Sequence, residues 1–202
     1  MNDATEEYAR RHKAFLQTIA NNLEGHLRGL LEGVPNVDRI SARAKDPARF
    51  ASKAVRHDGS GAPKYRAPLA EIQDQIGGRV IVFYIRDVMA VRDLITRYFQ
   101  PIEQQELVPE SQWAFGYFGY HLVLPLPRDT VPESVPVSET PSFFELQIKT
   151  LFQHAWSEAN HDLGYKARTP PSLDQQRRFA YAAAQAWGAD RIFEELRSEL
   201  NG

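Results

Sequence analysis

The sequence predicts an α/β fold in which a single mixed β-sheet is flanked by α-helices. Short apolar runs rich in β-branched and aromatic residues alternate along the chain with longer segments whose apolar residues recur every three or four positions. A composition of 43% hydrophobic and 25% charged residues is typical of a globular protein with a core. The length of 202 residues suits one domain, so we expect residues 1–202 to form a single unit.

The first predicted elements are a long helix, a strand and a short helix. A helix is predicted over residues 5–33 from apolar residues at helical spacing, namely Leu16, Ile19, Leu23, Leu27 and Leu30. Alternation predicts a strand over 37–44. Asp46-Pro47 begins a short helix that extends to about Arg56, because aspartate caps helices and proline suits the first turn.

Three further strands are predicted from the runs VIVFYI, HLVLPL and FFELQI, at residues 80–85, 121–126 and 143–148. The periodic segment 87–99 predicts a helix after the first of these runs. Two capping boxes, Thr150 with Gln153 and Ser172 with Gln175, begin two more helices.

These elements predict three parts within the one domain. An N-terminal helix covers 5–33, a catalytic core covers 35–166, and a C-terminal amphipathic helix covers 172–200.

Composition and charge exclude several classes of protein. The chain has no cysteine, so disulfides, thiolate metal sites and cysteine nucleophiles are excluded. The net charge of -2 does not favour coating nucleic acid through bulk charge, and no DNA partner is expected. No apolar run approaches the length of a membrane span, and the charged N-terminus is not typical of a signal peptide. We therefore expect a cytoplasmic protein without a membrane partner.

Positive charge is concentrated in one segment, residues 39–66. Its eight basic residues are opposed only by Asp46 and Asp58; the basic residues are Arg39, Arg43, Lys45, Arg49, Lys53, Arg56, Lys64 and Arg66. Arg43 and Lys45 share one strand face, and three of the others recur at helical spacing. Such a cluster suits a polyphosphate, because guanidinium groups bind oxygens in pairs and lysine supplies a point charge. A solvated basic face is the alternative interpretation.

Two carboxylates lie beside predicted strands. Asp74 precedes the VIVFYI run and Glu145 lies within the FFELQI run. Acidic side chains at strand edges commonly hold Mg²⁺, which takes oxygen ligands and completes its shell with water or phosphate. Either carboxylate alone is more often a cap or an ion-pair partner, but together with the basic cluster they favour metal-assisted phosphoryl chemistry.

The predicted helix after Glu145 carries a polar stripe. His154, Glu158 and His161 are spaced four and three residues apart and so project from one side. Glu158-x-x-His161 matches half of a di-iron motif whose other half the sequence lacks. We therefore expect the stripe to position neighbouring site residues through hydrogen bonds. The sequence also lacks a GxxxxGK[ST] motif, which excludes a P-loop enzyme.

Three blocks of sequence carry a resemblance to a known family. DQIGGRVIVFY (74–84), GYFGYHLVL (116–124) and FELQIKTLFQHAWSEANHDLGYK (144–166) resemble the synthetase domain of RelA/SpoT-type alarmone synthetases. The likeness covers roughly residues 35–200. It implies a nucleotidyltransferase-like sheet and transfer of the β,γ-pyrophosphate of ATP to the 3′-hydroxyl of GDP or GTP, with Mg²⁺ as cofactor.

The resemblance also implies roles for individual residues. It implies contacts with ATP for Arg43, Lys45, Lys53, Arg56 and Arg79. It implies that Asp74 and Glu145 form the catalytic, metal-binding pair, with Glu145 sharing the metal or deprotonating the 3′-hydroxyl. Tyr117 matches the aromatic residue that stacks on the acceptor base, with His121 behind it and Gln147 on the strand face of Glu145.

The sequence departs from the family pattern around the acceptor site. No lysine or arginine occurs from Tyr98 to Pro127, where Glu103, Glu106 and Glu110 occur instead. Further departures are Gly119 for the usual serine, Phe118 where a polar residue is common, and Lys149 for the usual arginine.

Because of these departures, more than one molecule remains a candidate for the acceptor. The 3′ end of tRNA is a second candidate, as in toxins of the family, and an adenine nucleotide is a third. For tRNA, the basic residues Arg10, Arg11 and Lys13 suggest a surface that guides the RNA backbone, with a solvated helix face as the favoured alternative. A nucleotide-binding module without turnover is a more distant alternative. The expected partners are ATP and a nucleotide or tRNA acceptor, with an antitoxin or a second copy of the chain as further candidates.

Overall fold

Five strands form one mixed sheet in the order β1–β2–β5–β4–β3. The computed structural model describes residues 3–107, 116–117, 119–165 and 169–201, apart from the side chains of 106, 107, 164, 165 and 201. The strands are β1 (Val37–Ala44), β2 (Ile76–Val82), β3 (Glu103–Leu107), β4 (Gly119–Pro125) and β5 (Phe143–Thr150). β2 and β5 run parallel and the other neighbours antiparallel, which confirms the predicted α/β class.

Helices precede and separate the strands. They are α1 (Asp3–Arg11), a π-helical turn (His12–Leu16), α2 (Gln17–Leu30), α3 (Pro47–Ala54), α4 (Pro68–Glu71), α5 (Ile85–Tyr98), α6 (Leu151–Tyr165) and α7 (Leu173–Asn201). Three-residue 3₁₀ turns occur at Gln73–Gln75, Arg128–Thr130 and Val137–Glu139. No helix among the described residues is long and apolar enough to cross a membrane.

One face of the sheet forms the hydrophobic core. Alternate strand residues such as Ile40, Val80 and Leu146 are buried together with Leu23 and Leu27 of α2. α2 packs on β1 and β2, and α5 packs on β2, β4 and β5. Because successive side chains of a strand point to opposite faces, this leaves the intervening residues on the other side of the sheet.

The opposite face carries two rows of mostly polar residues that cross all five strands in register. One row contains Ser41, Arg79, Gln147, His121 and Gln105, and the other contains Arg43, Gly77, Glu145, Val123 and Glu103. Paired residues of neighbouring strands point to the same face and lie close together. The register therefore gathers most of the polar residues that the sequence analysis singled out on these strands.

Most predicted elements are confirmed, with shifts at their ends. The strand over 37–44 and the helices after both capping boxes are confirmed; the backbone N–H of Thr150 donates to Gln153 Oε1 at 2.8 Å. β2 begins at Ile76 rather than Val80, and Ile85 begins a helix. The predicted helix over 5–33 is interrupted by the π-helical turn. β3 was not predicted, because EQQEL at this edge lacks apolar alternation.

Gly119 opens β4 in a conformation that only glycine adopts readily. Its φ is 90°, and a Cβ atom there would lie 2.6 Å from the carbonyl oxygen of Ile148 and 2.8 Å from Lys149 Cγ. Steric crowding thus explains why this chain has glycine at position 119, where serine is usual in the family.

We expect Gly119→Ser to lower the free energy of unfolding by about 2 kcal/mol or more, because it adds backbone strain and overpacking. Gly77→Ser is the matched control, since a Cβ at Gly77 meets nothing within 4 Å. Urea denaturation of both variants measures the difference. Equal losses in the two variants would contradict the steric explanation.

Candidate active site

A cleft of about 690 Å³ lies over the polar face of the sheet, between β1, β2, β5 and the start of α3. Six residues predicted for the site line it: Arg43, Lys45, Asp74, Arg79, Glu145 and Gln147. Together with Arg49 and Asp46, which also line it, the cleft brings four cationic side chains and three carboxylates into one space. Gly77 keeps the floor of the cleft open, because no side chain projects there.

Asp74 lies between two lysines at one end of the cleft. Lys45 Nζ donates to Asp74 Oδ2 at 2.5 Å, and Lys53 Nζ donates to Oδ1 at 3.0 Å. Burial by itself would raise the pKa of Asp74, but the hydrogen bonds and charges of the two lysines hold that pKa below its usual value. Asp74 is therefore ionised at neutral pH; it holds Lys45 in the lining of the cleft and Lys53 of α3 next to it.

Tyr8 of α1 stabilises the end of the cleft that contains Asp74. Its ring stacks on Phe50 of α3 with centroids 3.8 Å apart. Its hydroxyl donates to the carbonyl oxygens of Lys45 at 2.8 Å and Gln75 at 3.3 Å. The N-terminal helix thus fixes the two backbone segments that carry Lys45 and Asp74.

Glu145 is paired with His121 across β5 and β4. His121 Nδ1 lies 2.7 Å from Glu145 Oε1, and the buried Nε2 has no hydrogen-bond partner in the described part of the chain. Burial and the charge of Asp74 raise the pKa of Glu145, whereas the hydrogen bond and the charge of His121 lower it. The lowering effect is the larger, so the pKa of Glu145 lies below its usual value. Glu145 is thus an ionised acceptor aimed into the cleft.

The stripe on α6 contacts Arg79. Glu158 Oε1 lies 3.0 Å from Arg79 Nη2, and His154 Nδ1 lies 3.4 Å from Arg79 Nη1. His154 and Glu158 thus contact the Arg79 guanidinium, and their positioning role stays a prediction. His161, one turn further along α6, is exposed and is not among the described residues that line the cleft.

Two other predicted residues lie away from the cleft. Arg56 is exposed beyond the end of α3. Tyr117 is half-buried and does not line the cleft; its hydroxyl donates to Asp190 of α7 at 2.5 Å. Phe118 and Glu110, which the sequence analysis marked as departures, lie outside the described residues, as does the side chain of Glu106.

Several residues near the site were not predicted to belong to it. Arg49 lines the cleft, as its place in the basic stripe of α3 indicates. His12 also lines it, but a π-helical turn has no reliable signal in apolar spacing. Asp190 interrupts the apolar face of α7 at helical spacing from Ala183 and Trp187, a signal that was available in the sequence.

The basic residues of α1 form ion pairs within the molecule. Arg10 pairs with Glu7 and with Glu139, and Arg11 donates to the carbonyl oxygen of Glu139 at 2.9 Å. They tie the Val137–Glu139 turn to the N-terminal helix. These arginines therefore stabilise the fold, whereas their charge alone suggests a surface that binds RNA.

Lys149 is a buried cation behind the cleft. It is 4% exposed, and its Nζ donates to Ser157 Oγ at 3.1 Å. Burial and the neighbouring charge of Arg79 lower the pKa of Lys149 to about 8. The unfolded chain therefore binds a proton at Lys149 that the folded chain loses between about pH 8 and 10.

Because the unfolded state binds more protons in that window, Lys149 makes stability rise with pH there. We expect the unfolding free energy of the wild type, relative to Lys149→Met, to increase by about 2–3 kcal/mol between pH 7 and pH 10. Denaturant titrations of both proteins at matched pH values measure it. A difference that does not change with pH would contradict a depressed lysine pKa.

Comparison with known proteins gives concordant results. Residues 42–170 match the family model described as "Region found in RelA / SpoT proteins". The GTP pyrophosphokinase YjbM of Bacillus subtilis is 27% identical over 169 residues, which cover 81% of this chain and 74% of that protein.

Solved structures agree with that match. The small alarmone synthetase 1 of B. subtilis superposes with a TM-score of 0.74 at 25% identity, covering 99% of each chain. The same synthetase bound to its product pppGpp gives a TM-score of 0.76 at 24% identity, covering 96% of this chain and 100% of the other. Since the family model covers more than half of the sequence, the chain belongs to the RelA/SpoT family.

Proposed function

We propose that the protein transfers the β,γ-pyrophosphate of ATP to the 3′-hydroxyl of GDP or GTP and so makes (p)ppGpp. The observation that carries this proposal is the cleft, in which Arg43, Lys45 and Arg79 face the carboxylates Asp74 and Glu145 on one side of the sheet. The similarity to a GTP pyrophosphokinase and to a synthetase bound to pppGpp supports the same reaction.

The cations of the cleft bind the triphosphate of ATP in this proposal. Arg43 and Arg79 lie on neighbouring strands, and each guanidinium can bind two phosphate oxygens. Lys45 and Lys53 supply point charges next to them. Phosphoryl transfer depends mostly on positioning and on stabilising charge in the transition state, and a preorganised cluster of cations supplies both.

Glu145 accepts the proton of the attacking hydroxyl. The 3′-oxygen of the acceptor forms a bond to the β-phosphorus of ATP, the bond from that phosphorus to the oxygen shared with the α-phosphorus breaks, and AMP leaves. The hydroxyl proton passes to Glu145, whose lowered pKa keeps it ionised at neutral pH. His121 holds the carboxylate in place through the 2.7 Å hydrogen bond.

The donor set of the cleft fits Mg²⁺. Asp74 and Glu145 offer carboxylate oxygens, and no cluster of three or more histidine or acidic residues that could hold a metal occurs among the described residues. Mg²⁺ commonly takes one or two protein carboxylates and fills its other positions with water and phosphate. When bound, it supplies charge neutralisation on the transferred phosphates.

We favour guanosine nucleotides over tRNA as the acceptor because the basic residues of α1 already have partners within the protein. Arg10 and Arg11, two of the basic residues that suggested an RNA surface, are already engaged with Glu7 and Glu139. Glu103, one of the glutamates that depart from the family pattern around the acceptor site, also has a partner within the protein. It accepts a hydrogen bond from Gln73 at 2.8 Å.

The test is a reaction with γ-³²P-ATP and Mg²⁺, with GDP, GTP, ADP, ATP and bulk tRNA offered as separate acceptors. We expect label on GDP and GTP. Glu145→Gln should lower kcat roughly 100-fold or more, as expected for loss of a general base. Glu133→Gln removes an exposed carboxylate elsewhere and is the matched control.

Each other pattern of label contradicts the proposal in its own way. Label on tRNA alone would identify a translation-blocking toxin, and label on an adenine nucleotide would identify a different alarmone. No transfer to any acceptor would leave a nucleotide-binding module.

A further inference from the structure

Asp190 is a buried carboxylate that joins three parts of the fold. It lies on α7 with 1% of its surface exposed. One of its oxygens, Oδ2, accepts hydrogen bonds from Tyr117 Oη at 2.5 Å and from Thr150 Oγ1 at 2.6 Å. Its other oxygen, Oδ1, has no hydrogen-bond partner among the described residues.

Burying the Asp190 carboxylate in this way costs free energy. Burial raises the pKa of Asp190 and also raises the pKa of the Tyr117 hydroxyl. A buried carboxylate with one unpartnered oxygen destabilises a fold unless its remaining hydrogen bonds are strong. Hydrophobic residues of the same size would fill the space without this cost, so the polar contact with Tyr117 calls for an explanation.

Both partners of Asp190 lie close to the catalytic strands. Thr150 ends β5, five residues after Glu145, and caps α6 together with Gln153. Tyr117 lies two residues before Gly119, where β4 begins next to β5. Asp190 therefore ties α7 to the carboxyl end of the strand that carries Glu145 and to the segment that leads into β4.

The hydrogen bond to Asp190 holds the far end of the Tyr117 side chain. Tyr117 lies between Gly116 and Gly119, which offer no side chains to pack against its ring. An aromatic ring that is already oriented stacks on a base with a smaller loss of conformational entropy. A hydrogen bond at the far end of the ring restricts both its tilt and its position.

We propose that Asp190 is a positioning residue for the acceptor nucleotide: by holding the Tyr117 hydroxyl, it presents the tyrosine ring to the acceptor base. This inference rests on the proposed function and on the stacking role that the family resemblance implies for Tyr117. A stacked base contributes roughly 1–3 kcal/mol. Loss of the anchor therefore weakens acceptor binding and leaves ATP binding intact, since Arg43 and Arg79 lie on β1 and β2 and, in the described part of the chain, neither contacts Asp190.

The test measures KM for GDP and for ATP, together with kcat, in a series of variants. Asp190→Ala should raise KM for GDP about tenfold, and Tyr117→Phe should raise it about fivefold while keeping the ring. Asp190→Asn retains an oxygen that accepts from Tyr117, so it should recover most of the affinity. Glu195→Ala, an exposed residue of the same helix, is the control.

A second comparison separates positioning from general stability. The double variant Asp190→Ala with Tyr117→Phe should bind GDP no worse than Asp190→Ala alone, because both changes remove the same hydrogen bond. KM for ATP and kcat should stay within about twofold of the wild type in every variant. A thermal melt of each protein checks that it is folded.

Two results would overturn the inference. One is an unchanged KM for GDP in folded Asp190→Ala, and the other is a parallel change in both KM values and kcat. If Asp190→Ala does not fold, Tyr117→Phe and Asp190→Asn decide by the same criteria. A wild type that does not transfer pyrophosphate to GDP at all refutes the proposed function and the inference with it, whereas an active wild type with unaffected variants refutes only the inference.

Discussion

The candidate site depends on one constraint, the alternation of side chains across a five-stranded sheet that is covered on one face. Because α2 and α5 bury the residues of one face, the intervening residues must point to the other face. The register of the strands then aligns those residues in rows across the sheet. A shift of one residue in β5 would bury Glu145 in the core and turn Leu146 into the cleft. Burial of the apolar face thus determines the composition of the polar face.

Several charged groups in and beside the cleft are paired with one another. Asp74 is paired with Lys45 and Lys53, Glu145 with His121, and Arg79 with Glu158. These contacts restrict the conformations of the paired side chains. They also stabilise the fold around the cleft, since unpaired charges in a partly buried space would be costly.

Much of the fold was predictable because its elements carry strong local signals. The apolar spacing of the N-terminal helix, the VIVFYI and FFELQI runs and the two capping boxes each predicted an element that is present. The edge strand β3 was not predicted, because its sequence EQQEL is polar and its pairing with β4 is a tertiary effect. The π-helical turn that brings His12 to the cleft has no comparable local signal.

The site was only partly predictable for a related reason. Spacing on one strand face grouped Arg43 with Lys45, because a strand face is a local property. Asp74 and Glu145 joined them through their places beside predicted strands and through the family resemblance, and all four line the cleft. The pairing of His121 with Glu145 depends on the register of β4 against β5, and no single segment encodes it. The contact of Tyr117 with Asp190 joins residues 73 positions apart and depends on how α7 packs.

The proposed reaction requires that this cleft bind ATP through its cations and carboxylates. A crystal structure with a non-hydrolysable ATP analogue and Mg²⁺ tests this binding most directly. We expect the triphosphate against Arg43, Lys45 and Arg79, with the Asp74 carboxylate turned from the lysines towards the divalent cation. A nucleotide bound elsewhere on the molecule, or an Asp74 still held by both lysines in the complex, would contradict it.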